Sequence, residues 1–279
     1  MIHIVTDSTA QLTPEEIKDN DLHVIPLQVS FEGKTYQDNV DITRQQFSEM
    51  LHDDETEFPK TSQPAMGQFV ETYEQILKDD PDGSIVSIHI TRILSGTVET
   101  AQSAAQQVNG NIRVIDSKST DRGLGFEVLK AAELAKTGKS AEEVENGVIA
   151  MIPEISLHVF VNSFDYLVKG GRASRAVGFI SSLIQLKPVL ALNDGKLEIV
   201  AKCRGAKKMR KVRDEITETL INDPKVKEVG LSYVDSTEDV DAVAARIKEA
   251  RPDINVLVRL TCPVIMTHVG PGGFAIIYN

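Results

Sequence analysis

A chain of 279 residues is long enough for one large α/β domain or two ordinary ones. Its hydrophobic content of 41% and charged content of 25% are those of a globular protein, and a net charge of −11 argues against general nucleic-acid binding, which needs a basic footprint. No apolar run reaches the ~18–20 residues of a membrane helix, so no membrane-spanning helix is expected.

The chain starts M-I-H-I-V-T-D-S, without a basic stretch leading into an apolar one, so no signal peptide is expected and the reading is cytoplasmic. Short β-branched runs at 2–5, 23–31, 84–90 and 112–116 predict strands, and helical periodicity follows at 97–107 and 123–136. Such alternation predicts an open, mostly parallel, Rossmann-like sheet covered by helices. Segment 32–60, with a turn at F-E-G-K-T-Y and a helix from about Thr43 to Leu51, reads as an excursion at the sheet edge. In P-K-T-S-Q-P-A-M-G-Q-F (59–69), Thr61 and Ser62 stand before a helix start that needs only one capping hydroxyl.

A second region begins after Pro153. Strands are predicted at 157–162 and 187–192, the latter joined by the turn Asn193-Asp194-Gly195 to a strand at 197–201. Helix 205–221 buries Met209, Val212, Ile216 and Leu220, and strand 226–233, helix 238–250 and strand 254–260 complete the region. The expected architecture is two α/β domains, 1–156 and 157–279. Cys203 and Cys262 form neither a disulfide framework nor a paired metal motif and are expected as reduced structural thiols; no metal site is expected.

Three strands of the first half end in small polar groups: T-D-S-T (6–9), L-S-G-T (94–97) and D-S-K-S-T (116–120). Ligands of open parallel sheets bind beyond the carboxyl ends of the strands, and helix N-termini there suit an anion. Each hydroxyl could instead simply cap its own helix. Neither G-x-x-x-x-G-K-[S/T] nor a strand-to-helix G-x-G-x-x-G is present, so nucleotide binding is unsupported. His268 lies in T-H-V-G-P-G-G, which opens a hydrolase or acyl-transferase reading: Ser95 as nucleophile, His268 as base, Asp7 or Asp116 as orienter. Against it, L-S-G-T is not the G-x-S-x-G elbow. The apolar stretch 176–192 reads as a buried helix and strand or as a cavity wall. Seven cations between Lys202 and Arg213, with no acid among them, read as a solvated face or as a docking patch for an acidic partner or a phosphate-bearing ligand.

Together V-T-D-S-T, T-S-Q-P-A-M-G-Q-F, H-I-T-x-x-L-S-G-T, V-I-D-S-K-S, K-G-G-R-A-S, L-K-P-V-L and T-H-V-G-P-G-G resemble the DegV family in the same order, from residue 5 to residue 273. The resemblance implies a bacterial two-domain α/β protein holding one long-chain fatty acid between its domains. It further implies a non-catalytic, cofactor-free subunit of a fatty acid kinase: an ATP-binding partner phosphorylates the bound acid, and this chain carries the acyl phosphate towards phospholipid synthesis. Carried over, it assigns the carboxylate to Thr61, Ser95 and His268, with Ser62 and Gly96 close by, leaving Ser62 for the local role at the helix start. The acyl tunnel falls to Phe164, Phe179, Ile180, Leu183 and Ile184, and partner docking to Arg172, Arg204, Lys207 and Lys208. One departure is Thr91-Arg92-Ile93, where many relatives have small residues. A serine-dependent acyl hydrolase or transferase and a lipid-sensing regulatory protein stand as the alternatives.

Overall fold

The computed structural model describes residues 1–51, 57–173 and 186–279. Elements are numbered along the chain. The first are β1 (Ile2–Asp7), α1 (Pro14–Asp19), β2 (His23–Ile25), β3 (Gln28–Phe31), β4 (Lys34–Gln37), α2 (Arg44–Met50) and β5 (Lys60–Ser62). Next come α3 (Met66–Asp79), β6 (Ser84–His89), α4 (Thr97–Ala105), β7 (Asn111–Asp116), α5 (Asp121–Lys136) and α6 (Ala141–Met151). Then follow β8 (Ser156–Phe160), α7 (Asp165–Lys169), β9 (Lys187–Asn193), β10 (Lys196–Cys203) and α8 (Ala206–Asn222). The last are β11 (Glu228–Tyr233), α9 (Glu238–Ala250), β12 (Asn255–Leu260), α10 (Pro263–Val269) and β13 (Phe274–Tyr278).

The chain divides into two compact units, Met1–Gln28 with Ser62–Glu154, and Val29–Thr61 with Ile155–Asn279. The sequence placed 32–60 at the edge of a first domain 1–156; Val29–Thr61 belongs to the second unit instead. Three contacts hold it there: Arg44 Nη1 donates to the Leu260 carbonyl (2.7 Å), Ser48 Oγ to the Val234 carbonyl (2.7 Å), and the Phe58 ring lies 5.4 Å from that of Tyr166. All three partners are far along the chain, where local periodicity carries no signal.

In the first unit a four-stranded parallel sheet has the order β2-β1-β6-β7. Alternation along each strand feeds two cores. Ile4, Val86 and Ile88 pack against Leu124 and Val128 of α5 and Val144 and Val148 of α6. On the other face Val5 and Ile85 meet Phe69, Tyr73 and Ile76 of α3 and Ala101 and Ala104 of α4. From β1 the chain steps to β2 on one side, whereas β6 steps to β7 on the other, so the order reverses between β1 and β6. That reversal opens a crevice at the carboxyl ends of these two strands. The predicted strand 23–31 is two strands in different sheets: Pro26 cannot donate to a ladder, and the Leu27 amide donates to Ser8 Oγ (3.0 Å).

In the second unit a six-stranded mixed sheet runs β10-β9-β8-β13-β11-β12, with β11 and β12 parallel and the other pairs antiparallel. Its core gathers Phe160, Val189, Leu231 and Ile276 with Met209, Val212 and Leu220 of α8 and Val240, Val243 and Ile247 of α9. A small sheet, β4-β3-β5, marks where the chain enters this unit after Gln28 and leaves it after Thr61. The regular structure does not end with the strand predicted at 254–260: α10 and β13 follow, and β13 inserts between β8 and β11. Cys203 and Cys262 are buried thiols, and no disulfide joins them.

Candidate functional site

Three loops at the carboxyl end of the first unit's sheet carry hydroxyls, and those after β1 and β7 carry carboxylates as well. After β1, the buried Asp7 carboxylate accepts from the Thr9 amide (3.0 Å), Thr9 Oγ1 (2.6 Å), the Ile90 amide (2.9 Å) and His89 Nδ1 (3.0 Å). His89 Nε2 contacts Ser87 Oγ (2.7 Å), which contacts the Tyr73 hydroxyl (2.8 Å). After β6, Leu94 and Ser95 turn back onto the Thr91 carbonyl (3.0 and 3.2 Å), and Ser95 Oγ lies 2.9 Å from Thr97 Oγ1 at the start of α4. Gly96 caps that helix: a Cβ there would overlap Gln63 Oε1, so glycine lets the Gln63 amide reach Thr100 Oγ1. After β7, Lys118 and Asp121 both adopt positive φ (50° and 52°), costly for residues with a side chain. The Thr91 and Thr120 hydroxyls are buried with no hydrogen-bond partner among the described residues, so the rim keeps spare polar capacity.

In the second unit, β5 and α10 bring Thr61 Oγ1 and His268 Nε2 to 2.8 Å. They stand 207 residues apart in sequence. Burial, and after it the charge of Arg172, pushes the His268 pKa from 6.5 down to about 3, so the ring is neutral at physiological pH. Arg172 Nη1 donates to the Gly170 carbonyl (2.7 Å) at the end of α7. Gly170 in turn lies against His268, whose Cε1 would sit 2.9 Å from a Cβ built there. Ser62 does not cap the helix after it: α3 starts at Met66 with Ala65 as its N-cap, and Ser62 Oγ donates to Gln28 Oε1 (3.2 Å). The doublet is strand, so neither hydroxyl is spent on a helix end.

Among the described residues nothing gives His268 the carboxylate that the serine-hydrolase reading requires. A catalytic histidine needs a carboxylate on its second nitrogen, and His268 Nδ1 has no partner among the described residues. Asp7 is committed to His89, and Asp116 to Arg92, whose Nε lies 2.7 Å from its Oδ2. Ser87, His89 and Asp7 do form a Ser–His–Asp chain, yet all three are fully buried and Ser87 is tied to Tyr73, so no substrate reaches it. Arg92, singled out as a departure, is held within the first unit by Asp116 and by Glu99 at 3.7 Å.

Of the tunnel candidates, Phe164 is buried just before α7, and Phe179, Ile180, Leu183 and Ile184 lie outside the described residues. Arg204, Lys207 and Lys208 line a groove of about 890 Å³ along α8. They are exposed and, with Arg210, have no ion-pair partner among the described residues, whereas Arg213 is buried and paired with Asp214 and Asp239. Arg172 does not line this groove. Sequence reading missed Gln63, Gly170 and the His89 chain; the glutamine's only signal is its place in T-S-Q-P. Among the described residues no helix is long and apolar enough to cross a membrane, and no group of His, Cys, Asp and Glu could hold a metal ion.

Comparison with known proteins adds a family. The model for "Uncharacterised protein, DegV family" matches residues 1–279. A DegV domain-containing protein of Staphylococcus aureus (strain MRSA252) is 39% identical over 275 residues, covering 98% of this chain and 97% of the relative. A DegV family protein from Thermus thermophilus, whose solved structure is described as showing fatty acid binding, is 30% identical with a TM-score of 0.88, covering 99% of this chain and 98% of that one. The structure of DegV, a fatty acid binding protein from Bacillus subtilis, is 29% identical with a TM-score of 0.90 and the same coverage of 99% and 98%. Matched over its whole length and sharing the pairing of a parallel-sheet unit with a mixed-sheet unit, the chain belongs to the DegV family.

Proposed function

We propose that this chain holds one long-chain fatty acid and presents its carboxylate to an ATP-dependent kinase partner. It then carries the acyl phosphate towards phospholipid synthesis without catalysing the transfer itself. The contact between Thr61 and His268 carries this reading, because it sets a hydroxyl beside a neutral, buried imidazole that has no carboxylate on it among the described residues. The family adds Ser95 and Gly96 at the start of α4, where unpaired amides and about half a positive charge favour an anion. Named fatty-acid binders among the relatives support the ligand class.

Magnitudes divide the labour. Each buried methylene contributes about 0.8 kcal/mol, so a tail of ~15 contributes roughly 12 kcal/mol before ordering costs. A hydrogen bond to a charged group contributes only about 1.5–3 kcal/mol net. The tail, against Phe164 and the stretch containing Phe179, Ile180, Leu183 and Ile184, holds the ligand; the polar groups orient the carboxylate for phosphorylation. Organic extraction and mass spectrometry of freshly purified protein are expected to yield one long-chain acid per chain. An empty protein that also ignores added palmitate and oleate overturns the reading.

Arg204, Lys207 and Lys208, at the start of α8 and without an ion-pair partner among the described residues, supply the docking face for an acidic partner surface, and the half-buried Arg172 adds a cation outside their groove. Reversing Arg204 and Lys207 together to Glu is expected to lower acyl phosphate formation at least about tenfold, steeply dependent on salt, with fatty-acid retention unchanged. Undiminished turnover detaches the patch from the kinase.

A further inference from the structure

We propose that Gly170 is a positioning residue that holds His268 as its Nε2–H tautomer, which leaves the Thr61 hydroxyl proton free to donate to the bound anion. This deepens the carboxylate reading above and rests on it for the identity of the anion.

A neutral imidazole has two tautomers, and the surroundings of each nitrogen choose between them. Nε2 faces Thr61 Oγ1, which can either donate or accept. Nδ1 is buried and has no hydrogen-bond partner among the described residues. Its side of the ring is where a Gly170 Cβ would fall, overlapping Nδ1 and standing 2.9 Å from Cε1. The Gly170 Cα–H therefore occupies that space, and a Cα–H is at best a weak donor and never an acceptor. A proton on Nδ1 would be a buried donor aimed at carbon; a lone pair there is tolerated. Arg172 acts on the charge of the ring: its Nη1 donates to the Gly170 carbonyl (2.7 Å), and its positive charge opposes a second proton on the imidazole, which keeps the ring neutral.

With the proton on Nε2, His268 donates to Thr61 Oγ1, and the threonine's own proton must be given elsewhere. Under the opposite tautomer Thr61 would spend its proton on His268 and present only lone pairs to a carboxylate, which repels it. The tautomer thus decides whether residue 61 attracts or rejects an anion. Gly170 itself has ordinary backbone angles (φ −75°, ψ −7°), so any residue could adopt its conformation. Its missing side chain, and not a left-handed turn, is what the position requires.

The test is long-range ¹H–¹⁵N correlation on full-length protein with ¹⁵N-labelled histidine, with and without stearate. The expected spectrum of His268 has a pyrrole-like Nε2 and a pyridine-like Nδ1, unchanged across about pH 5 to 8. A pyrrole-like Nδ1 overturns the proposal, and because the ligand-free spectrum needs no fatty acid, failure of the carboxylate reading is seen separately as an absence of stearate binding. Gly170→Ala is expected to alter the His268 nitrogen shifts and to weaken stearate about tenfold, the loss of one charged hydrogen bond. A folded Gly170→Ala protein with native His268 shifts and native affinity overturns the positioning role.

Discussion

Replacing Asp7 by Ala is expected to destabilise the first unit by about 3–5 kcal/mol, because several buried donors lose their acceptor together at about 1–3 kcal/mol each. The carboxylate is fully buried and accepts from the Thr9 amide and hydroxyl, from the Ile90 amide and from His89 Nδ1. Each of these donors loses its acceptor at once, and water cannot replace it without entering the core. Behind Asp7 the hydrogen-bonded chain runs on through His89 and Ser87 to the Tyr73 hydroxyl, which burial keeps protonated by pushing its pKa up. Asp7→Asn keeps one acceptor oxygen but turns an amide towards donors, so an intermediate loss is expected. Urea unfolding followed by circular dichroism measures both; a loss below about 1 kcal/mol for Asp7→Ala would show that the network contributes little. The effect should reach the loop after β6 first, since Ile90 leads directly to Thr91 and Ser95.

Acid is expected to weaken the second unit through His268. Its pKa falls from 6.5 in the unfolded chain to about 3 in the fold, so between these values the unfolded state binds the extra proton and the native state does not. Stability from the neutral ring is therefore fully present above pH 6.5 and is lost as pH falls towards about 3. One such group changes stability by about 1.4 kcal/mol per pH unit across this window. Denaturation curves at several pH values should show a shallower slope for His268→Gln than for the parent. His23 and His158 are also lowered by burial, but they contribute equally to both proteins and cancel in the difference. Identical slopes would mean that His268 exchanges protons freely in the fold.

The first unit was largely legible because its signals are local. β-branched runs at 84–90 and 112–116 and the periodicity after them recover β6, β7, α4 and α5 to within a few residues. Signals that depend on distant partners were not legible. Ser62 looked like the capping residue, with Thr61 to spare, because Pro64 and the helical pattern follow closely, yet the helix begins only at Met66 and the pair lies in a strand. Segment 29–61 looked like part of the first half because nothing in its own residues announces Leu260, Val234 or Tyr166 as neighbours. The F-A-I-I-Y strand is short and follows a glycine loop, so its place inside the sheet could not be read from its length. His268 stood out by its glycines and Ser95 by its loop, whereas Gly170 has no side chain to advertise its role and is recognised only by what its absent Cβ would strike.

The double passage of the chain, into the second unit after Gln28 and out again after Thr61, bears on how the molecule is made and cut. Neither unit is a continuous stretch, so no single truncation near residue 155 releases an intact half. On the ribosome, residues 29–61 emerge long before Ile155–Asn279, the segment with which they share a unit. The α2 segment, Phe58 and Thr61 must wait for their partners Leu260, Val234, Tyr166 and His268 while the first sheet assembles. Long-range pairing of this kind slows folding and exposes unpaired strands. A stalled or C-terminally shortened chain would keep a foldable parallel sheet with a loose insertion in its middle, an open target for proteases.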